Sequence, residues 1–199
     1  MAAERRRAAG RQLGRLAVHD LDDDGVPEVI REATVLDGKT GATKGASPAE
    51  YATHSQGLDP VLADLDQDPA IGITNGALVW QWTASGWQQE GYFSAAAPGF
   101  PAVADFGAFG ASLPANNPEL AVVRKGSATI YAGMDGTTVL GPISVPGGGG
   151  GPPTVADYDG DGLPELEVAG EAFAGHLRHR LQRYSPSTAP ATTPTVATT

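Results

Sequence analysis

The chain has 199 residues, a formal net charge of −10 and no cysteine, which excludes disulfides and thiol chemistry. Its 27 glycines and 16 prolines, with only 7% aromatic residues, suit a turn-rich all-β protein. The charge is unevenly spread: residues 20–175 hold 22 acids against five bases, a balance that repels nucleic acid phosphates, and no apolar run approaches the roughly 18 residues of a membrane-spanning helix.

Residues 1–15 form a basic N-terminal arm, with Arg5, Arg6, Arg7, Arg11 and Arg15 against Glu4. They lack the apolar stretch of a secretory signal. A first strand, Leu16–His19, then leads into Asp20-Leu21-Asp22-Asp23-Asp24-Gly25-Val26-Pro27-Glu28. Carboxylates stand at positions 1, 3, 5 and 9 of this loop, with Gly at position 6. Alternate carboxylates on a tight loop converge on one point, and the Gly supplies the positive φ that turns the chain back. Such a cluster repels itself unless a hard cation sits within it, and a donor set made only of oxygens favours Ca²⁺. An EF-hand would need Glu at position 12, where this loop has Arg31. The apolar Val29-Ile30 that follows reads as a strand rather than an exit helix.

Further strands are predicted at Ala33–Leu36, after which Asp37-Gly38-Lys39-Thr40-Gly41 makes a hairpin turn, and at Ile71–Thr74, Ala77–Trp82 and Trp87–Phe93, with a type I′ turn at Asn75-Gly76. Trp80 and Trp82 share one strand face and read as core, with an aromatic platform for sugar or peptide as the competing reading. Beyond them come Glu119–Val123, Ala128–Ala132, a turn at Met134-Asp135-Gly136, and Thr137–Ile143. The glycine run Gly147–Gly151 lacks the Lys-Ser/Thr of a phosphate loop.

The loop of the first unit returns as Asp157-Tyr158-Asp159-Gly160-Asp161-Gly162-Leu163-Pro164-Glu165. Weaker echoes lie between. Asp64, Asp66 and Asp68 keep the spacing, but Pro69 replaces the Gly and Gly72 stands at position 9, a weak metal site at best. Asp105 is followed by Gly107 and Phe109 at positions 3 and 5, which removes the site. The four leading Asp residues are 44, 41 and 52 residues apart. A period in the forties with several short strands per unit marks a β-propeller of four-stranded antiparallel blades. Blades are expected near 16–58, 59–99, 100–150 and 151–172, the last truncated, giving three to four in all. Residues 173–199 read as a basic stretch and then a disordered Ser/Thr/Pro-rich tail. His176 and His179 would make a metal pair only on a helix, and no acidic third ligand accompanies them.

The units Val18-His19-Asp-x-Asp-x-Asp-Gly-Val-Pro-Glu-Val-Ile and Val155-Ala156-Asp-x-Asp-x-Asp-Gly-Leu-Pro-Glu-Leu resemble the FG-GAP/VCBS repeats of integrin α-chain-like β-propellers. The resemblance spans about residues 16–172. It implies calcium in the loop between a blade's first two strands. The ligands it implies are Asp20, Asp22, Asp24, the Val26 carbonyl and Glu28, and then Asp157, Asp159, Asp161, the Leu163 carbonyl and Glu165. Where that family often has Asp at position 9, this chain has Glu. Propellers of the family close with about seven blades, so the resemblance implies missing blades or another chain to complete the ring.

No Ser or Cys nucleophile sits in a recognisable triad motif, so a non-catalytic module is expected: a calcium-binding adhesion or ligand-binding repeat for a protein or glycan. Calcium sites of about 10⁻⁴–10⁻³ M affinity suit an extracellular or cell-surface location. The alternatives are a non-catalytic part of a polysaccharide-active propeller enzyme, distinguishable by an acid pair facing a central channel, and a structural spacer.

Overall fold

The structure, a computed structural model, describes residues 15–52, 60–68, 70–92, 98–107, 117–124, 126–145, 148–160, 162–172, 175–181 and 196–198. The arm 1–14 and the loop residue Asp161 lie outside them. Among the described residues, sixteen strands form four four-stranded antiparallel sheets, each built from strands consecutive in sequence. The first holds β1 (Leu16–His19), β2 (Glu28–Arg31), β3 (Thr34–Leu36) and β4 (Thr43–Gly45). The second holds β5 (Val61–Ala63), β6 (Gly72–Thr74), β7 (Leu78–Thr83) and β8 (Gly86–Tyr92). The third comprises β9 (Phe100–Ala104), β10 (Glu119–Arg124), β11 (Ser127–Ala132) and β12 (Thr138–Ser144). The fourth comprises β13 (Thr154–Ala156), β14 (Glu165–Ala172), β15 (Gly175–Leu181) and β16 (Val196–Thr198).

The sheets pack face to face in chain order. Ile30 and Val35 of the first meet Ile73 and Trp80 of the second. Val79 of the second meets Leu120 and Val122 of the third. Ala121, Val123 and Ile130 of the third meet Leu166 and Val168 of the fourth. Strand β10 shows why its sequence is an unbroken apolar run: Leu120 and Val122 face one neighbour while Ala121 and Val123 face the other, so period-two alternation buries both sets. On β8, the last strand of the second sheet, Gln88, Gln89 and Glu90 face water. First strands of consecutive sheets lie beside one another, β1 by β5, β5 by β9 and β9 by β13.

Three features depart from the sequence expectation. The repeat pattern ends at residue 172, yet the fourth sheet continues, with β14 paired to β15 from Leu166↔Leu181 to Ala172↔Gly175 and β15 paired to β16. A ladder needs backbone donors and acceptors rather than apolar side chains, so the basic His176–Leu181 run can still complete it; its backbone is a strand, and the helical spacing of His176 and His179 does not apply. The turn after β6 is a three-residue loop rather than type I′, because Asn75 Oδ1 accepts the Ala77 and Leu78 amides at 3.0 Å each and only Gly76 has positive φ. The two-residue turn with positive φ at both positions is instead Glu32-Ala33, at 48° and 66°. A short helix, α1 (Ala49–Ala52), also places Tyr51 fully buried against Trp80, ring centroids 5.4 Å apart and edge-on.

Candidate metal centres

Each candidate centre lies where a sheet's first strand turns into its second. In the first sheet the β1–β2 register pairs His19 with Glu28, so the loop between must reverse within eight residues, Asp20–Pro27. Asp20 organises that reversal, its two carboxylate oxygens accepting the amides of Asp24 (3.1 Å) and Gly25 (2.9 Å). Glu28 is fully buried, and its Oε2 accepts the Leu21 amide at 2.8 Å. The result brings carboxylate oxygens of Asp20, Asp22 and Glu28 within 4.8 Å of one another. Asp24 does not join them: its Oδ1 accepts the Val26 amide at 2.7 Å.

The fourth sheet repeats this arrangement. Asp157 accepts the amides of Gly160 (2.7 Å) and Gly162 (2.9 Å), and buried Glu165 accepts the Tyr158 amide at 2.8 Å. Asp157, Asp159 and Glu165 place oxygens within the same 4.8 Å. Two oxygens bound to one Ca²⁺ at about 2.4 Å are separated by at most about 4.8 Å. The spacing and the all-oxygen donor set therefore fit a hard divalent cation at both ends of the chain.

The second sheet gathers Asp64, Asp66 and Asp68 within the same distance. Sequence reasoning missed a fourth carboxylate there. Partial burial, a hydrogen bond with Asp66 and the charges of Asp66, Asp68 and Asp64 push Glu90, from β8, up to about 7. Gln81 Nε2 donates to Asp68 Oδ2 at 2.5 Å. The third sheet shows no such cluster among the described residues, yet it keeps the buried glutamate: Glu119 Oε2 accepts the Phe106 amide at 2.7 Å. Burial, opposed by that hydrogen bond and reinforced by Asp105, pushes Glu119 up to about 7.

The buried Pro-Glu glutamate is thus a staple in three sheets, holding the residue after the leading Asp whether or not acids surround it. In the second sheet Gly72 takes its place.

A second missed residue is Lys44, on β4. Its Nζ lies 2.6 Å from Asp22 Oδ2 and 2.7 Å from Glu28 Oε1, which holds the ammonium well above its ordinary range. The first cluster thereby carries a cation of the chain's own. Lys44 and Asp22 also line an open cleft of about 600 Å³ with Trp82 and Thr83. Trp82 packs edge-on against Trp87 at 5.0 Å, and its ring occupies the space a side chain at Gly45 would fill. Trp80 is buried in the core between the first two sheets.

Comparison with known proteins gives one informative likeness. No family model and no curated protein matches the chain. Among solved structures it is similar to the V. cholerae biofilm matrix protein Bap1, at 22% identity and a TM-score of 0.54, over 84% of this chain and 26% of that one. The chain spans about a quarter of that neighbour's length, and the likeness concerns the fold. Among the described residues no helix is long and apolar enough to cross a membrane.

Proposed function

We propose that this chain is a calcium-binding β-propeller module of the FG-GAP/VCBS type, non-catalytic, acting outside the cell or at its surface in adhesion or in binding a protein or glycan. The observation that carries the reading is the pair of register-matched clusters, Asp20/Asp22/Glu28 and Asp157/Asp159/Glu165, at the same corner of the first and fourth sheets. Sheets stacked in chain order with their first strands side by side are the layout of propeller blades. The neighbour's role in a biofilm matrix supports an extracellular setting.

Calcium would neutralise each loop and fix the angle at which the first strand enters the second. Asp20, Asp22 and Glu28 would hold it at one end, and Asp157, Asp159 and Glu165 at the other. Affinities of about 10⁻⁴–10⁻³ M suit extracellular calcium. The raised carboxylates do not require a catalytic explanation, since Glu119 is a buried staple and Glu90 sits among three aspartates.

Calorimetric titration of the whole chain with CaCl₂ tests this. Wild type is expected to bind at least two ions, Asp159→Ala to lose one, and Asp22→Ala a different one. No heat in wild type, or wild-type stoichiometry kept in both variants, would remove the metal reading.

A further inference from the structure

The second sheet breaks the repeat at one position. Glu28, Gly72 and Glu119 are equivalent, each paired with the residue before its sheet's leading Asp. On the other side Gly72 pairs with Gln81 and Glu119 with Ala132. The residues that follow, Trp82 and Gly133, are therefore equivalent too, and their amides donate to the carbonyls of Ile71 at 3.3 Å and Pro118 at 3.0 Å. The register of the first sheet, Val29↔Leu36, brings Gly38 to the same place. Glycine is required at both of these positions. A Cβ on Gly38 would run into the Pro27 carbonyl, and one on Gly133 would lie 2.5 Å from the carbonyl oxygens of Leu65 and Pro118. Of these three sheets, the second alone carries a large aromatic ring there.

The Trp82 ring is held in place yet stays partly exposed. Its Cη2–Cζ3 edge meets Gly45 of β4, where a Cβ would lie 2.6 and 2.7 Å from those atoms, and Trp87 packs edge-on at 5.0 Å. The ring lines the open cleft of about 600 Å³ between the first two sheets. One wall is the first loop with Asp22, together with Lys44; the other is the turn from β7 to β8. Thr83 Oγ1 fixes that turn, donating to the Gly86 carbonyl at 2.8 Å and accepting the Ser85 amide at 3.2 Å. Exposed Ser85 lines the cleft beside it. Lys44 has three N–H groups, of which Asp22 and Glu28 take two, and the Asp22 carboxylate can accept more donors than Lys44 alone.

We propose that this cleft is a saccharide-binding subsite, in which Trp82 stacks on the C–H face of a neutral sugar ring while Asp22, Lys44 and Ser85 exchange hydrogen bonds with its hydroxyls. The inference rests on the binding-module reading above and does not require calcium. The lining selects the ligand class. An anion would meet Asp22 with Asp20 and Glu28 behind it, three carboxylates against one ammonium. A cation would meet Lys44. A wholly apolar ligand would strip water from Asp22 and Lys44 without replacing its hydrogen bonds. A neutral sugar offers an apolar face to the negative face of the indole and hydroxyls to the ion pair, so both halves of the lining are satisfied. The volume lies within the range of about 300–1,000 Å³ usual for small-ligand sites.

Tryptophan fluorescence and calorimetry on the whole chain test the proposal, with cellotetraose, mannotetraose, chitotetraose and, separately, trilysine as probes. At least one tetrasaccharide is expected to bind with millimolar affinity and to shift the fluorescence. Ser85→Leu narrows the cleft from an exposed turn position, so it should keep the melting temperature of wild type and weaken binding at least about tenfold. Trp82→Phe keeps much of the packing against Trp87 with a smaller ring, and is also expected to weaken binding about tenfold. Binding of no tetrasaccharide, wild-type affinity in either variant, or preference for trilysine overturns the proposal. The saccharide titrations are run in excess chelator, and calcium is titrated without saccharide. Saccharide binding with no calcium heat then removes only the metal reading, and calcium heat with no saccharide binding removes only this subsite.

Discussion

The indole N–H of Trp87, on the last strand of the second sheet, donates to the backbone carbonyl of Ala33 in the first, 2.7 Å away. This bond ties two sheets through a turn whose residues both have positive φ. Trp87→Phe keeps much of the apolar contact with Trp82 but leaves the Ala33 carbonyl short of a donor. A loss of about 1–2 kcal/mol is expected from urea unfolding at constant m; no loss would mean that the tie contributes nothing.

The same turn carries strain. Glu32 sits at φ 48° without a glycine's freedom, whereas asparagine tolerates that region. Glu32→Asn is expected to stabilise the chain by about 0.5–1 kcal/mol, read in the same urea experiment. Ala33 is a poorer site for this change, because it is fully buried in the core of the first two sheets.

Lys44 is expected to compete with calcium for Asp22 and Glu28. Lys44→Met removes the cation seen on fully buried Glu28, so the melting temperature in excess chelator should fall by a few degrees. Millimolar calcium should restore it, giving a larger calcium-induced rise than in wild type. An equal rise in both proteins would show that Lys44 does not share the cation's place.

Glu119 predicts a pH dependence. Its folded-state pKa is raised from 4.5 to about 7, chiefly by burial, so between those values the native state holds more protons than the unfolded chain. Stability from this group is therefore full below about pH 4.5, falls as pH rises toward 7, and is level above. Glu119→Gln keeps an oxygen for the Phe106 amide and carries no charge. The variant should melt higher than wild type at pH 8 and close to it at pH 5; the opposite ordering would contradict the assignment.

The four sheets and both end clusters were legible because they rest on local signals: a period in the forties, Asp-x-Asp-x-Asp-Gly spacing, and Pro-Glu before an apolar run. What stayed hidden is non-local. Lys44 is 22 residues from Asp22 and reaches it only after β4 joins the first sheet. Glu90 looks like a solvent-facing residue on a polar strand until folding sets it beside Asp66. Tyr51 gives no helical period in a four-residue turn. Strand β15 was obscured because basic residues stand where the other units keep apolar ones. Nor does the spacing show that Asp24, at position 5 of the first loop, gives its Oδ1 to the Val26 amide.

On the proposed reading the end loops hold calcium and the fold depends on it. Thermal unfolding followed by circular dichroism, in millimolar calcium and then in excess chelator, tests it most directly. A ligand that binds only the native state must raise its melting temperature. A cooperative melt is expected to shift upward with calcium, by less in Asp159→Ala than in wild type. A melting temperature indifferent to calcium, or an equal shift in Asp159→Ala, would contradict it.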